Sequence, residues 1–298
     1  MEASNMVHFA IRCRLILVVL LVHWAPMAQA AIWDIVYPRP MDDQDTRDRY
    51  PLEILELALK HTGVKYQMSQ SSTRMEQGRA TASLLANREI NVYWSMTDSK
   101  RESQLLPIRI PLYKGLIGLR LFLARSANPV NTSMVKDIAG MRNFTLVQGK
   151  DWPDTKILQA NGFEVVSANF YQGLFAILQQ EQADLFPRSV VEIWTEQQHD
   201  NAEFTTVVQP NLALYYPTAV YFFVNKNNVV LANLLQIGLE KAISSGDFEK
   251  LFLSVHQPLI ESADLANRLV FKLDNPILPD KTPLGRPELW YHLDNLIE

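Results

Sequence analysis

Between residues 32 and 94, short apolar segments alternate with segments that have helical spacing, and this order restricts the possible folds. Apolar side chains recur every three or four residues in the helical segments, whereas the strand segments are short and β-rich. The predicted elements are strands at residues 32–37, 65–69 and 90–94 and helices at residues 52–59 and 75–86. The order strand, helix, strand, helix, strand predicts an α/β fold with a mainly parallel sheet.

Polar side chains follow the carboxyl ends of the three predicted strands. Ligands of open α/β sheets bind beyond these ends. An arginine placed there can hold a carboxylate, because its planar guanidinium presents two parallel N–H donors. The alternative is that these side chains are solvated loop residues. The candidate ligand-binding residues of this part are Tyr37, Arg39, Thr73, Trp94, Ser95, Thr97 and Arg101.

The segment 91–125 resembles part of the family 3 solute-binding proteins, which have the type II periplasmic binding protein fold. The residues that carry the resemblance are Ser95, Met96, Thr97 and Arg101, followed by Pro111 and Tyr113. The resemblance implies that Arg101 binds a ligand carboxylate, although its spacing from Thr97 is slightly longer than in the amino-acid binders of the family. It also implies two lobes, each a mainly parallel sheet flanked by helices, joined by two crossing strands.

A glycine-containing turn in the second half of the chain is predicted to open onto a helix. Residues 144–148 have the composition of a strand, and Gly149 begins the turn that follows. The free backbone amides and the dipole at a helix N-terminus attract anions, so this turn is a candidate binding segment. Trp152 in the turn either stacks on a ligand or covers the turn.

Arg188 occupies a place where the resemblance implies an acidic residue. In the amino-acid binders of the family, that acidic residue holds the ammonium group of the ligand; here Glu192 follows one helical turn later. Arg101 and Arg188 on opposite sides of a cleft would favour a ligand with two anionic groups. The alternative is a structural ion pair between Arg188 and Glu192 or Asp184.

The resemblance covers residues 32–252 and implies how the chain is divided. The expected divisions are a first lobe at residues 31–124, a second lobe at 125–214, a return to the first lobe at 215–256 and a C-terminal strap at 257–298. The strap contains five prolines and ends close after Trp290 and Tyr291. This composition predicts an extended segment that lies on a lobe, not a third domain.

Residues 1–30 are expected to be a secretory signal peptide. A basic flank precedes the apolar residues 15–22, and residues 28–30 form a small-x-small cleavage pattern. A membrane anchor is the alternative, but a spanning helix needs about 20 apolar residues. His23 and Pro26 interrupt this run, so we expect cleavage and a periplasmic location.

Composition and motifs argue against several other classes of protein. The chain has 28 basic and 32 acidic residues, whereas a nucleic-acid surface needs clustered Lys and Arg. Its single cysteine, Cys13, lies in the signal segment, so no disulfide or thiolate metal site is expected. The histidines lack metal-ligand spacing, and no phosphate loop, dinucleotide fingerprint or GxSxG motif occurs. We therefore expect a monomer with no metal, no cofactor and no catalytic residue.

These observations predict a solute-binding protein that closes on a small polar, anionic ligand for uptake or sensing. An inner-membrane transporter or sensor would then recognise the closed form. One alternative is an enzyme of the cyclohexadienyl dehydratase type on the same fold, with Glu192 as its candidate acid or base. Another is a sensory or accessory module whose cleft is filled by its own aromatic side chains.

Overall fold

The computed structural model describes residues 32–43, 45–127, 129–198 and 205–292. The signal peptide expected at residues 1–30 lies outside these described residues. Within the described residues, no helix combines the length and the apolar composition that a membrane span requires.

The described part of the chain contains twelve strands and nine α-helices. The strands are β1 (Trp33–Arg39), β2 (Tyr66–Arg74), β3 (Tyr93–Met96), β4 (Leu106–Ile108), β5 (Leu119–Arg125), β6 (Leu146–Gly149), β7 (Val165–Ala168), β8 (Phe186–Ser189), β9 (Thr206–Val208), β10 (Leu212–Tyr215), β11 (Val220–Val224) and β12 (Leu269–Lys272). The helices are α1 (Arg49–Thr62), α2 (Gln77–Leu85), α3 (Ser99–Gln104), α4 (Ile138–Met141), α5 (Pro153–Ala160), α6 (Tyr171–Gln179), α7 (Ile193–Gln198), α8 (Val229–Ser244) and α9 (Asp247–Ser262).

The first lobe contains two small sheets. β1 pairs in parallel with β2, as the sequence predicts, while β11 lies between β3 and β4 and is antiparallel to both. The backbone amides of Asn91 and Val92 donate to the carbonyl oxygen of Val36, which links the two sheets. α1 buries Ile54 and Leu55 in the core of this lobe, so its apolar face produces the packing that the helical spacing predicts.

The second lobe is built around β5. This strand is antiparallel to β8, β9 and β10, and β10 in turn pairs in parallel with β12. β6 and β7 form a separate parallel pair. All seven residues of β5 are buried, including Arg120 and Arg125, which are the two charged residues of an otherwise apolar strand. Because β5 pairs only with strands of the second lobe, the sheet pairing begins that lobe at Leu119, earlier than the expected boundary at 125.

Two segments cross between the lobes and meet at Gly118. The amide of Tyr216 donates to the carbonyl oxygen of Gly118 over 3.2 Å. A Cβ atom at Gly118 would overlap the carbonyl oxygen of Tyr216, so only glycine permits this approach. The apolar run 212–224 is thus not one strand: β10 ends in the second lobe, and β11 begins in the first.

The segment after α9 contacts both lobes. α9 continues to Ser262, beyond residue 257 where the strap was expected to begin. β12 then joins the sheet of the second lobe, and the indole Nε1 of Trp290 donates to the carbonyl oxygen of Pro283 near the end of the described chain. Between them, Asn275 Nδ2 donates to the carbonyl oxygen of Pro217 in the second crossing segment over 2.8 Å.

Candidate functional site

A cleft of about 470 Å³ lies between the lobes and is lined by side chains of both. This volume is in the range of roughly 300–1,000 Å³ that is typical of small-molecule sites. The first lobe contributes the loop before α1, the start of α2 and β3. The second lobe contributes the turn after β6, the first part of α6, and residues of β8 and α7.

Trp94 on β3 forms part of the wall on the first lobe. Its indole Nε1 donates to Oδ1 of Asp48 over 2.9 Å, which fixes the ring against the loop before α1. The neighbouring Ser95 accepts a hydrogen bond of 3.0 Å from Nε2 of Gln77 at the start of α2. Three separate segments of the first lobe are therefore joined by hydrogen bonds at the cleft.

Asp48 is a carboxylate of the cleft that forms no ion pair with a basic side chain among the described residues. Burial raises its pKa to about 6, and the charge of Asp45 adds to this effect. The hydrogen bond from Trp94 and the charge of Arg47 act in the opposite direction. A cation placed beside Asp48 would stabilise its ionised form, so this carboxylate is suited to a positively charged ligand group.

Arg120 on β5 lies on the floor of the cleft in the second lobe. Only 2% of its surface is exposed, and its Nη2 lies 2.7 Å from Oδ1 of Asp154. The hydroxyl of Tyr216 also donates to Asp154. Burial of a guanidinium is costly unless a carboxylate compensates its charge, and Asp154 supplies that carboxylate.

Arg188 on β8 is paired in the same way. Its Nε and Nη2 donate to the two oxygens of Glu196 over 2.5 Å each, and Nη2 lies 3.1 Å from Oε2 of Glu192. Burial alone would raise the pKa of Glu196, but the charge and hydrogen bonds of Arg188 lower it overall. Glu192 also lies 3.7 Å from Nη1 of Arg120, so it is shared by the two arginines.

Trp152 packs over Gly149 and Arg188 in the turn after β6. The guanidinium carbon of Arg188 lies 4.6 Å from the centre of the indole ring, a cation–π distance. A Cβ atom at Gly149 would overlap this ring, so glycine is needed for the indole to lie flat on the turn. Both readings of Trp152 from the sequence are compatible with this position, since the ring covers the turn and lines the cleft.

Arg47 extends from the loop of the first lobe to α6 of the second. Its guanidinium carbon lies 4.4 Å from the centre of the Tyr171 ring. Asp45 accepts hydrogen bonds from both Nε and Nη2 of the same guanidinium, at distances of 2.9 and 2.5 Å. The two lobes are therefore in contact through a cation–π pair inside the cleft.

Carboxylates outnumber basic side chains in the lining of the cleft. The acidic residues are Asp42, Asp45, Asp48, Glu76, Asp151, Asp154, Glu192 and Glu196, and the basic residues are Arg47, Arg120, Lys150 and Arg188. A cleft focuses the field of the charges that line it. This cleft therefore favours a ligand that carries at least one positive charge.

No protein-family model matches the sequence, and no curated protein matches it. Solved structures do match the fold. The periplasmic VFT2 domain of BvgS from Bordetella pertussis is 16% identical with a TM-score of 0.59, over 77% of this chain and 95% of that one. The probable amino-acid ABC transporter extracellular-binding protein ytmK from Bacillus subtilis is 16% identical with a TM-score of 0.56, over 76% and 98%.

A third similar structure is a periplasmic binding protein of Salmonella typhimurium described as having high arginine specificity. It is 15% identical with a TM-score of 0.51, over 76% of this chain and 99% of that one. The chain has the type II periplasmic binding protein fold. The fold class inferred from the sequence is thus confirmed.

The type II periplasmic binding protein fold brings together six of the eleven site residues predicted from the sequence. Those that line the cleft are Trp94, Ser95, Gly149, Trp152, Arg188 and Glu192. Tyr37 instead lines a more open groove on the first lobe. Among the described residues that line the cleft, Arg39, Thr73, Thr97 and Arg101 are not found. Thr73 lies inside β2, because this strand continues to Arg74 and does not end before the hydroxyl residues.

Arg101 lies in α3, behind the wall formed by β3. Its Nη1 donates to the carbonyl oxygen of Met96 and lies 3.0 Å from Oδ2 of Asp98. Asp98 also caps α3 by accepting from the backbone amide of Arg101. These contacts hold the Arg101 side chain within the first lobe. Its expected contact with a ligand carboxylate stays a prediction.

Four residues of the cleft were not predicted from the sequence: Asp48, Arg120, Tyr171 and Glu196. Arg120 carries a signal that could have found it, because it is one of two charged residues in the otherwise apolar sequence of β5, and a buried guanidinium needs a partner. Asp48 lies in an acidic loop, where one carboxylate cannot be distinguished from its neighbours by sequence. Its contact with Trp94 depends on segments 46 residues apart along the chain.

Proposed function

We propose that this protein is a periplasmic solute-binding protein whose lobes close on a small polar ligand. The observation that carries the proposal is the cleft of about 470 Å³ between the lobes, which is lined by aromatic rings and by charges of both signs. Closure on a ligand would produce a surface that an inner-membrane transporter or a sensor can recognise. The likeness in fold to a probable amino-acid ABC transporter binding protein supports this role.

The ligand class that fits best is a small zwitterion with a prominent positive charge, such as an amino acid with a cationic side chain. Asp48 is suited to the cationic group, because it is half-buried and forms no ion pair with a basic side chain among the described residues. Arg101 and Arg188 were expected to favour an anionic ligand, but Arg101 is not found in the described lining of the cleft, where Arg120 and Arg188 are the buried arginines. They already have carboxylate partners, so an anionic ligand group would compete with Glu192, which is 21% exposed and shared by both arginines.

A thermal-shift screen of the chain from residue 31 onward tests the proposal. The ligands are amino acids, diamines, dicarboxylates and sugar acids, since any ligand that binds only the folded state raises the melting temperature. We expect a shift with cationic amino acids or diamines. Prephenate and arogenate belong in the same screen, because their turnover would indicate the enzyme alternative. No shift with any class would contradict a solute-binding role.

The change Asp48→Asn tests the cationic subsite. A carboxyl group whose pKa is raised in the folded state destabilises that state above about pH 6, because the ionised form is penalised by burial. We therefore expect D48N to raise the free energy of unfolding at pH 7 by about 2 to 3 kcal/mol. The stabilisation should vanish below about pH 4, where both states bind the proton.

The same variant should lose the thermal shift produced by a cationic ligand. Asp34→Asn is the matched control, because it removes the same charge from an exposed position outside the cleft lining. Asparagine at position 48 can still accept from the Trp94 indole, so the loss would come from the charge. A D48N protein that binds the cationic ligand as well as the D34N protein would show that Asp48 is not the anchor.

A further inference from the structure

The loop before α1 carries an arginine that reaches across the cleft. Arg47 belongs to the first lobe, and the ring over which its guanidinium lies, at 4.4 Å, is that of Tyr171 at the start of α6 in the second lobe. The side chain is 32% exposed, so it lies near the mouth of the cleft and is not part of a core. It is therefore placed where a ligand entering from solvent would meet it.

The surroundings of Arg47 are those of a bound guanidinium. Tyr171 offers a ring face, and its own ring packs edge-on against Phe175 at 5.2 Å, which fixes its orientation. The charge of Arg47 also helps to keep the pKa of Glu196 low, after the larger effect of Arg188. Aromatic stacking and a nearby carboxylate are the features with which proteins hold guanidinium groups.

Asp45 holds the side chain of Arg47 in this position. It accepts from the backbone amide of Arg47 over 3.0 Å and from two atoms of the guanidinium. The loop thus fixes the direction of the side chain within its own first lobe. The contact with the second lobe is a stack on one ring, which is a weak interaction compared with a buried ion pair.

We infer that the surface formed by Tyr171 and Glu196 is a guanidinium subsite of the cleft, and that Arg47 occupies it in the ligand-free protein. Arg47 then acts as an internal ligand that holds the lobes together. A solute with a guanidinium or a similar planar cation has to displace Arg47 before the subsite can bind it. This inference rests on the proposed function only in treating the cleft as the ligand site.

Chemical rescue with methylguanidinium tests the inference without knowledge of the natural solute. The change Arg47→Ala empties the subsite, and free methylguanidinium at low millimolar concentration should then bind there and raise the melting temperature. The wild-type protein should not respond, because its own side chain fills the subsite. Methylammonium, which has the same charge but no planar face, should have a smaller effect on the variant.

Arg49→Ala is the matched control, since Arg49 is the next arginine in the chain, is 80% exposed and pairs with Glu53 outside the cleft lining. If the R47A and R49A variants respond equally to methylguanidinium, or neither responds, the inference is overturned. Arg47→Met keeps the apolar stem and replaces R47A if the latter fails to fold. The inference also predicts that R47A binds a solute with a guanidinium group, where the screen finds one, about tenfold more tightly than wild type does.

The two proposals fail in different ways. Rescue of R47A in a protein that binds no solute would leave the guanidinium subsite in place and remove the solute-binding role. A solute that binds the wild type and R47A equally, without rescue, would leave the solute-binding role and remove the internal ligand.

Discussion

Arg101 and Arg120 show that the structural environment of an arginine decides its role. Arg101 follows β3 on a short helix and binds the carbonyl oxygen of Met96 and the carboxylate of Asp98. Arg120 is the second residue of the buried strand β5, and its partners come from α5 and from the segment after β8. The local sequence suggests a ligand contact for Arg101, whereas in the folded structure it is Arg120 that lies in the cleft.

We expect Arg101→Ala to lower the free energy of unfolding by about 2 to 3 kcal/mol, because it removes charge-assisted hydrogen bonds from a buried position. Urea denaturation measures this change, and the exposed neighbour Lys100→Ala serves as its control. The thermal shift produced by a cleft ligand should survive in the R101A protein. Unchanged stability with a lost ligand response would instead support the carboxylate contact that the sequence suggests.

The limits of sequence reasoning at this scale have a physical cause. Trp94, Trp152 and Arg188 could be selected because they lie in or just after short strands, and strand ends converge in an α/β fold. Their partners Asp48 and Glu196 could not be selected in this way, because they become neighbours of Trp94 and Arg188 only through tertiary packing. Residue types near strand ends are therefore predictable as candidates, while the ion pairs that set the charge of the cleft are not.

At the scale of single elements, α9 contains a histidine in an apolar setting. The His256 ring lies 4.3 Å from the ring of Tyr50, 5.1 Å from that of Phe252 and 5.5 Å from that of Tyr113, measured between centres. Neither ring nitrogen has a hydrogen-bond partner among the described residues. Burial lowers the pKa of His256 to about 3. The imidazole of the folded protein is therefore neutral above about pH 3.

We expect this histidine to make the protein sensitive to acid. Below the unfolded-state pKa of about 6.5, the unfolded chain binds a proton that the folded chain rejects, so stability falls as the pH decreases toward 3. Relative to His256→Phe, the wild type should lose about 2 kcal/mol of unfolding free energy between pH 7 and pH 5. Urea titrations of both proteins at pH 7 and pH 5 measure the difference. The same titrations at pH 8 give the effect of the changed packing alone. Parallel pH profiles for the two proteins would contradict it.

Helices were predictable where one periodicity dominates, whereas strands were not where tertiary pairing decides. The apolar spacing predicts a helix at residues 52–59, and these residues lie inside α1 (Arg49–Thr62), which buries one face. The run 212–224 has the same β-rich composition throughout, yet β10 pairs with β5 and β11 pairs with β3. Nothing in the local sequence distinguishes one long strand from two strands in different lobes, apart from Pro217 between them.

At the scale of the whole molecule, the segment after α9 connects the lobes a third time. In the second lobe, Asn161 exchanges hydrogen bonds with the backbone of Asp274. In the first lobe, the amide of Ser99 donates to the carbonyl oxygen of Ile277. The amide of Tyr291 donates to the carbonyl oxygen of Lys114. The proline-rich composition predicts an extended segment. It does not indicate that this segment passes from one lobe to the other, which depends on the pairing of β12 with β10.

Two kinds of contact attach the end of this segment to the first lobe, and their energies differ. Arg286 forms a two-point ion pair with Glu240 on α8, at 2.7 and 2.9 Å, but both side chains are more than one third exposed. Such surface pairs contribute about 0 to 1 kcal/mol. Trp290 packs its indole against Gly115, with its Nε1 bonded to the carbonyl oxygen of Pro283.

We therefore expect Trp290→Ala to destabilise the protein more than Arg286→Ala, by about 2 to 3 kcal/mol against less than 1 kcal/mol. The reason is that the indole removes a large apolar area from water, whereas the ion pair remains solvated and is screened by salt. Urea denaturation of the two variants at low and at high salt measures both quantities, and only the R286A difference should shrink with salt. A larger loss in R286A than in W290A would mean that charge, and not apolar packing, holds the third connection on the first lobe.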